Sequence, residues 1–234
     1  FETIRFDQGV LEQSSEHLDR LNSGLKRLGL NFALSELALK SGFEAAAAGA
    51  GMTSGALKVL AMRRGAPVAE AAVDVQLYLR ANPYQDEQDG SLPQPYSLGL
   101  SAFAKNSRSV VAGLKWQGYA DHIIEKDRAV ARGFKDVLFL NEKDFVAETA
   151  VANIFWIKDG KLFTPALDCG ILPGIMRQNV LNAAVSQGIR AYEGHYGLPE
   201  LLEAELVFVT NSLMRLKEVN KIEDVLWQWP GANA

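Results

Sequence analysis

Apolar and polar side chains alternate from Phe1 to Phe6, and Asp7-Gln8-Gly9 then reads as a turn, so the spacing predicts an opening hairpin. From Ser14 the period lengthens. Leu18, Leu21, Leu25 and Leu28 fall on one helical stripe, Ser14 or Ser15 stands where a cap belongs, Glu16 sits in the first turn, and Gly29 ends the helix. A second helix runs from about Ser35 to Ala48 and leads into AAAAGAG, small enough to pack closely on a sheet. ALKVLAMRRG (56–65) and VDVQLYLR (73–80) read as strands. Next, NPYQDEQDGSLPQP gathers Pro, Gly and acids with no period, as an interdomain linker does.

The second half reads the same way. A strand is expected over YSLGLSAFA (96–104) and a helix over GYADHIIEKDRAVARG, with Gly133 in the C-terminal capping position. DVLFL (136–140), FVAET and NIFWI are apolar strands, and a hairpin over Asp159-Gly160 leads to KLFTP. A helix from about Gly174 to Gln187 is expected to bury Ile175, Val180, Ala184 and Val185, with Gly188 stopping it. ELVFVTNS (205–212) is a last apolar strand. Hairpins rather than regular βαβ alternation predict an α+β chain of two domains, 1–82 and 96–234, joined by a linker at 83–95. A ligand is expected in the cleft between them.

Composition narrows the function. The chain has 234 residues, 48% hydrophobic and 22% charged, with a formal net charge of -4. These values suit a globular protein and argue against a nucleic-acid partner, which selects a basic face. No apolar run approaches the roughly 20 residues that cross a bilayer, so no membrane partner is expected. The single cysteine, Cys169, rules out an intramolecular disulfide and fits a reducing, cytoplasmic compartment. His17, His122 and His195 are well separated and no pair has ligand spacing, so no metal is expected. Because Phe1 already lies in a strand, an N-terminal piece is expected to be missing.

Candidate chemistry centres on Glu148 to Arg177, ETAVANIFWIKDGKLFTPALDCGILPGIMR. Glu148 sits among apolar residues, where a carboxylate needs a partner. A protonated pyridine nitrogen is one such partner, and an arginine or lysine is another. Ile175 and Met176 would present backbone N–H groups at a helix start, while Thr210, Asn211 and Ser212 end a strand with small donors. An arginine such as Arg20 could help neutralise a phosphate there. Arg20 lies off the leucine stripe by about 120°, which also suits a plain solvated arginine. Lys115, flanked by Val111, Ala112, Leu114 and Trp116, can act as a Schiff-base amine if burial keeps it neutral often enough, or can be a surface lysine whose stem covers an apolar patch. Amine, acid and anion seat are what pyridoxal phosphate requires. No glycine-rich nucleotide loop of the Walker or Rossmann type is present.

Lys115 followed by Tyr119, Glu148-Thr149 with Asn153-Ile154-Phe155, Thr164-Pro165 and Gly174-Ile175-Met176-Arg177 resemble the class IV aminotransferase family, the fold-type IV (D-amino acid aminotransferase-like) pyridoxal-phosphate enzymes. Phe1-Glu2-Thr3 and His17-x-x-Arg20-Leu21 extend the resemblance over essentially the whole chain. The resemblance implies Lys115 as the Schiff-base lysine and proton shuttle, and Glu148 on the pyridine nitrogen. It places Tyr119 at the phenolic oxygen, and Arg20, Ile175, Met176, Thr210 and Asn211 around the phosphate. It also implies a homodimer. NIFW, LPGIMRQ, TNSLM and KVLAMRRG are most similar to the aminodeoxychorismate lyase branch, which releases pyruvate to give 4-aminobenzoate for folate synthesis. Within that branch Arg63, and secondly Arg215, are candidates for a substrate carboxylate. An aminotransferase acting on a branched-chain or D-amino acid with 2-oxoglutarate shares the scaffold, and a non-catalytic small-ligand protein is a further alternative. The stretch APVAEAA departs from the glycine-rich run those lyases carry after Arg64-Gly65, and the Gly-Asp-Gly that usually precedes Phe1 is absent.

Overall fold

The opening alternation becomes β1 (Glu2–Asp7), which turns through Gln8 (φ 47) and Gly9 (φ 75) into β2 (Val10–Leu11). Two successive left-handed residues give the turn whose twist matches its strands. The computed structural model describes residues 1–64, 74–84 and 96–228. The chain separates into two units, Phe1–Asp89 and Gly90–Ala234, each taken by itself below. The expected linker, 83–95, lies outside the described residues except for Pro83 and Tyr84, and APVAEAA (66–72) lies wholly outside them.

In the first unit α1 (Ser14–Arg27) buries His17, Leu21 and Leu25. Neither serine caps it. The capping position belongs to Gln13 at φ 51, and the Ser15 hydroxyl donates instead to the Glu16 carboxylate at 2.9 Å. Leu28, the last residue of the expected stripe, is exposed, because Gly29 turns the chain and the Leu30 N–H returns to the Leu25 carbonyl at 3.0 Å. In α2 (Glu36–Ala50) the Ser35 hydroxyl accepts the Ala38 N–H at 3.2 Å, and Leu39, Phe43 and Ala47 are buried four residues apart. The sheet adds β3 (Gly55–Arg64) and β4 (Asp74–Asn82) in the order β2-β1-β3-β4, antiparallel throughout. Its core joins Ile4, Phe6, Leu57 and Val59 to the helices' apolar faces.

The second unit contains β5 (Tyr96–Leu100), α3 (Ala120–Ala131), β6 (Asp136–Leu140), β7 (Val146–Thr149), β8 (Asn153–Lys158), β9 (Lys161–Pro165), α4 (Ile175–Ser186), β10 (Ala191–Gly194), α5 (Leu198–Leu202), β11 (Leu206–Asn211), β12 (Arg215–Ile222) and β13 (Val225–Leu226). The β5 strand stops at Leu100 rather than Ala104. Its path is cut short when the Ser101 hydroxyl takes up the Phe103 N–H at 2.9 Å, folding a turn. Following hydrogen bonds from β8 through β11, β12, β5, β6 and β7 leads back to β8, so these strands close into a ring. Leu98, Leu138, Val146, Ile154, Val209 and Val219, one from each, meet in its core. On the outer face, Ala129 of α3 packs with Phe139 and Ala147, and α4 covers Phe155 and Phe208, whose rings stack 5.2 Å apart. The residues α4 buries are Ile175, Arg177, Leu181 and Ala184. Val185, expected inside, is 75% exposed, being a further 100° or so round the helix from Ala184.

Candidate active site

Glu148 owes its direction to an irregularity in β7. Leu140 opposes Val146 but Leu138 opposes Thr149, so two steps along β6 match three along β7 and one residue is extra. Val146 points into the ring core, and strict alternation would send Glu148 after it. The bulge instead stands Glu148 opposite Asn153, on the outer face that Asn153 shares with Phe155.

There the carboxylate is 7% exposed. Its Oε1 pairs with the Lys105 ammonium, and its Oε2 accepts the Leu172 N–H at 2.9 Å and the Asn153 amide at 3.4 Å. A carboxylate has about four lone-pair sites, so this set leaves room for one more donor. Lys105 is held by backbone as well. Its N–H donates to Leu140 at 2.8 Å and its carbonyl accepts from Glu142 at 3.1 Å, clamping it to the end of β6. Its Nζ also lies 3.2 Å from His122 Nε2. His122 sits in the first turn of α3 with its ring 4.7 Å from that of Phe139. Burial, and after it the Lys105 charge, lowers the His122 pKa below its ordinary value, so a neutral ring accepts the ammonium's hydrogen bond.

Beside this cluster α4 begins. No side chain caps it at Gly174, and the N–H groups of Ile175 and Met176 precede the first helical bond, Gln178 to Gly174 at 3.0 Å. A Cβ on Gly174 would lie 2.0 Å from Asn153 Oδ1, so only glycine brings the helix start this close to the sheet. Across β8, Thr210 stands opposite Asn153; it is 1% exposed and its hydroxyl has no hydrogen-bond partner. A buried hydroxyl without a partner, next to an uncapped helix start, suits the oxygens of a phosphate. Asn211 contributes differently. Its Oδ1 accepts the Leu213 and Met214 N–H groups at 2.9 Å and its Nδ2 donates to Val151 at 3.1 Å, so the side chain is committed to the turn.

The other expected residues fall as follows. Lys115 is half-buried in the irregular segment before α3, and Tyr119 is the residue that caps that helix. The amine that meets Glu148 belongs to Lys105, not to Lys115. Arg215 is exposed at the start of β12 with φ 59. In the first unit Arg63 is exposed near the end of β3. Arg20 is no solvated arginine: Glu2 takes its Nε at 2.9 Å and its Nη2 at 2.6 Å, and His17 Nδ1 meets the same carboxylate at 2.7 Å. Burial alone pushes the Glu2 carboxyl up, but hydrogen bonds from Arg20 and His17, with their charges, outweigh it and bring the pKa to about 2.

Sequence reasoning missed Lys105, His122 and Asn153 as members of the site. The available signals were a lysine just past an apolar strand, and an asparagine opening the run IFW five residues after a buried acid. Parallel pairing of β9 with β10 brings Asp168, Cys169 and His195 together, with ligand atoms within 4.8 Å of one another. Burial first, and the Asp168 charge second, push the Cys169 thiol up to about 11, away from the thiolate a metal would bind. Among the described residues no helix is long and apolar enough to cross a membrane.

Comparison with known proteins fits this geometry. The family description of class IV amino-transferases matches residues 1–222. An aminodeoxychorismate lyase of Vibrio harveyi is 33% identical over 125 residues, which are 53% of this chain and 46% of that protein. A chloroplastic branched-chain-amino-acid aminotransferase of Arabidopsis thaliana is 37% identical over 113 residues, 47% of this chain and 27% of that one. The chain thus spans less than half the length of these two curated relatives. The solved 4-amino-4-deoxychorismate lyase of Pseudomonas aeruginosa superposes with a TM-score of 0.83 at 26% identity, covering 97% of this chain and 83% of that one.

Proposed function

This chain belongs to the class IV amino-transferase family, and on that premise we propose that it is a pyridoxal-phosphate enzyme that cleaves 4-amino-4-deoxychorismate to pyruvate and 4-aminobenzoate. When bound, the cofactor supplies an electron sink for negative charge developing on the substrate carbon. The protein's own groups do the rest. Glu148 would accept a hydrogen bond from the ring nitrogen on its remaining lone pair and so hold the ring. The Ile175 and Met176 N–H groups and the Thr210 hydroxyl would hold the phosphate, Arg20 is a further phosphate ligand on the family resemblance, and Tyr119 would serve the phenolic oxygen. Lys115 is the covalent lysine and carries the proton at the amine-bearing carbon. Arg63 and Arg215 serve substrate carboxylates, Arg as a planar fork for a planar anion.

The single observation that carries this reading is the re-aimed Glu148 carboxylate, set beside an uncapped helix start and an unpartnered hydroxyl. The lyase assignment is supported by NIFW, LPGIMRQ and TNSLM and by the likeness to the Vibrio lyase. A second reading, a branched-chain aminotransferase, is favoured by the 37% identity to the Arabidopsis enzyme. One assay separates them. Pyruvate release from aminodeoxychorismate with no added keto acid is expected; turnover that requires 2-oxoglutarate would replace the lyase with the aminotransferase. Lys115→Ala should abolish both the borohydride-reducible adduct and turnover. We also read the protein as a cytoplasmic homodimer, supported by its lone buried thiol and by Phe103, Val110, Trp116 and Ile123, which this chain leaves exposed. Light scattering at the mass of one chain would refute the dimer, and cell fractionation tests the compartment.

A further inference from the structure

We propose that Lys105 is the counter-ion that positions Glu148, a role separate from that of Lys115, and that it tunes how readily the cofactor's ring system holds its proton. The proposal rests on the assignment of Lys115 and Glu148 made above.

Three observations lead to it. First, the Lys105 ammonium occupies Oε1 while the Leu172 N–H and the Asn153 amide occupy Oε2, so the carboxylate is gripped at both oxygens before any ligand arrives. Second, Lys105 cannot drift: its own N–H and carbonyl are tied to Leu140 and Glu142, and the isolated bridge to Asn141 fixes where its stem starts. Third, its amine is committed as a donor. His122 behind it, neutral and with its ring tilted against that of Phe139, accepts from it at 3.2 Å, so the amine is engaged between two acceptors rather than offered as a nucleophile. A lysine held in this way serves as a point charge, and a point charge beside an acid that faces a ring nitrogen bears on that ring's proton.

Among the described residues, the charged or titratable groups around the pair are few. His122 lies on α3 with Asp121 next to it, while Asn153 on β8 and the Leu172 N–H ahead of α4 carry no charge. A cation near a protonated ring disfavours its protonated form, so removing Lys105 moves the ring's titration to higher pH.

The test uses wild type, Lys105→Met, Lys105→Arg and Lys115→Ala, each loaded with pyridoxal phosphate. Borohydride reduction and peptide mass mapping should place the pyridoxyl label on Lys115 in the first three and nowhere in the last. Lys105→Met should weaken cofactor retention by about tenfold or more and raise the pH midpoint of the bound cofactor's visible band, and Lys105→Arg should restore most of both. Label on Lys115 with midpoint and retention unchanged in Lys105→Met overturns the positioning role and leaves the proposed function standing. Label on Lys105 in the wild type overturns both, and so does no label in any protein. The unloaded protein gives an independent check, because Lys105→Met and Glu148→Gln should be non-additive in denaturant midpoint. Strict additivity would mean the pair is not coupled. A merely structural pair would show the coupling and leave the band's midpoint still.

Discussion

The two units hold the same trio of side chains and use it in opposite ways. In the first, Glu2 meets His17 and Arg20; in the second, Glu148 meets His122 and Lys105. The arginine grips Glu2 along its edge, Nε on one oxygen and Nη2 on the other, and the histidine adds a third bond. The fork is planar, matched to the carboxylate, and closed. The lysine touches only one oxygen of Glu148, its histidine turns to the lysine rather than to the acid, and the remaining bonds come from a backbone N–H and an amide. Each acid accepts three bonds; those of Glu2 all come from α1 and tie it to β1, while those of Glu148 come from three different segments. The fork and the point charge thus give the two acids different neighbours: Glu2 is held by charged side chains, and Glu148 partly by a backbone N–H and an amide beside an uncapped helix start.

The largest expected effect tests the closed trio. Glu2→Gln removes the acid that Arg20 and His17 share in a setting with little exposure, and should cost about 3–5 kcal/mol in urea denaturation at neutral pH; a loss below about 1 kcal/mol would mean that the fork adds little. Acid should act on the same bond. The Glu2 carboxyl falls from 4.5 to about 2 on folding, so its contribution is fully present above the higher value and disappears as pH drops through the lower one. That contribution is on the order of 3 kcal/mol, so wild-type stability should decline between those limits more steeply than that of Glu2→Gln, whose remaining slope comes from other lowered carboxyls such as Glu125. Equal slopes would break the assignment.

Smaller effects sharpen the open trio. Gly174→Ala presses a methyl onto Asn153 Oδ1 and should cost about 1–3 kcal/mol, with loss of pyridoxal phosphate on dialysis. Unchanged stability and retention would show that the helix start need not approach the sheet. The smallest effect has two signs. Thr210→Val removes a buried hydroxyl that has no partner, so the unloaded protein should gain up to about 1 kcal/mol while cofactor affinity falls several-fold. Loss in both states would mean that the hydroxyl serves the fold instead.

Much of this was legible in the sequence because it depends on period and punctuation. The alternation in β1, the Asp159-Gly160 hairpin, the Gly29 and Gly188 stops and the apolar runs of β6, β8 and β11 all follow from local rules. Glu148 stood out for the same reason, as an acid inside an apolar run. Lys105 did not, because its meaning depends on β5 ending early and on a bond to a residue 43 positions away. The Ser14 or Ser15 cap failed because Gln13, with a left-handed backbone, takes the capping position. His122 was set aside when only metal ligation was considered for it; its partner is an ammonium, and no local spacing rule describes that pairing.

The extra residue in β7 carries one more implication. A strand repeats every two residues, so deleting Ala147 would restore two-for-two pairing with β6 and leave Glu148 one step from Val146, still on the outer face, whereas a strand that kept its length but lost the bulge would turn the acid inward. The shortened protein should therefore keep both its far-ultraviolet circular dichroism and its hold on pyridoxal phosphate; loss of the cofactor alone would disprove it. The bulge is thus what lets a strand one residue too long still present its acid to the outside.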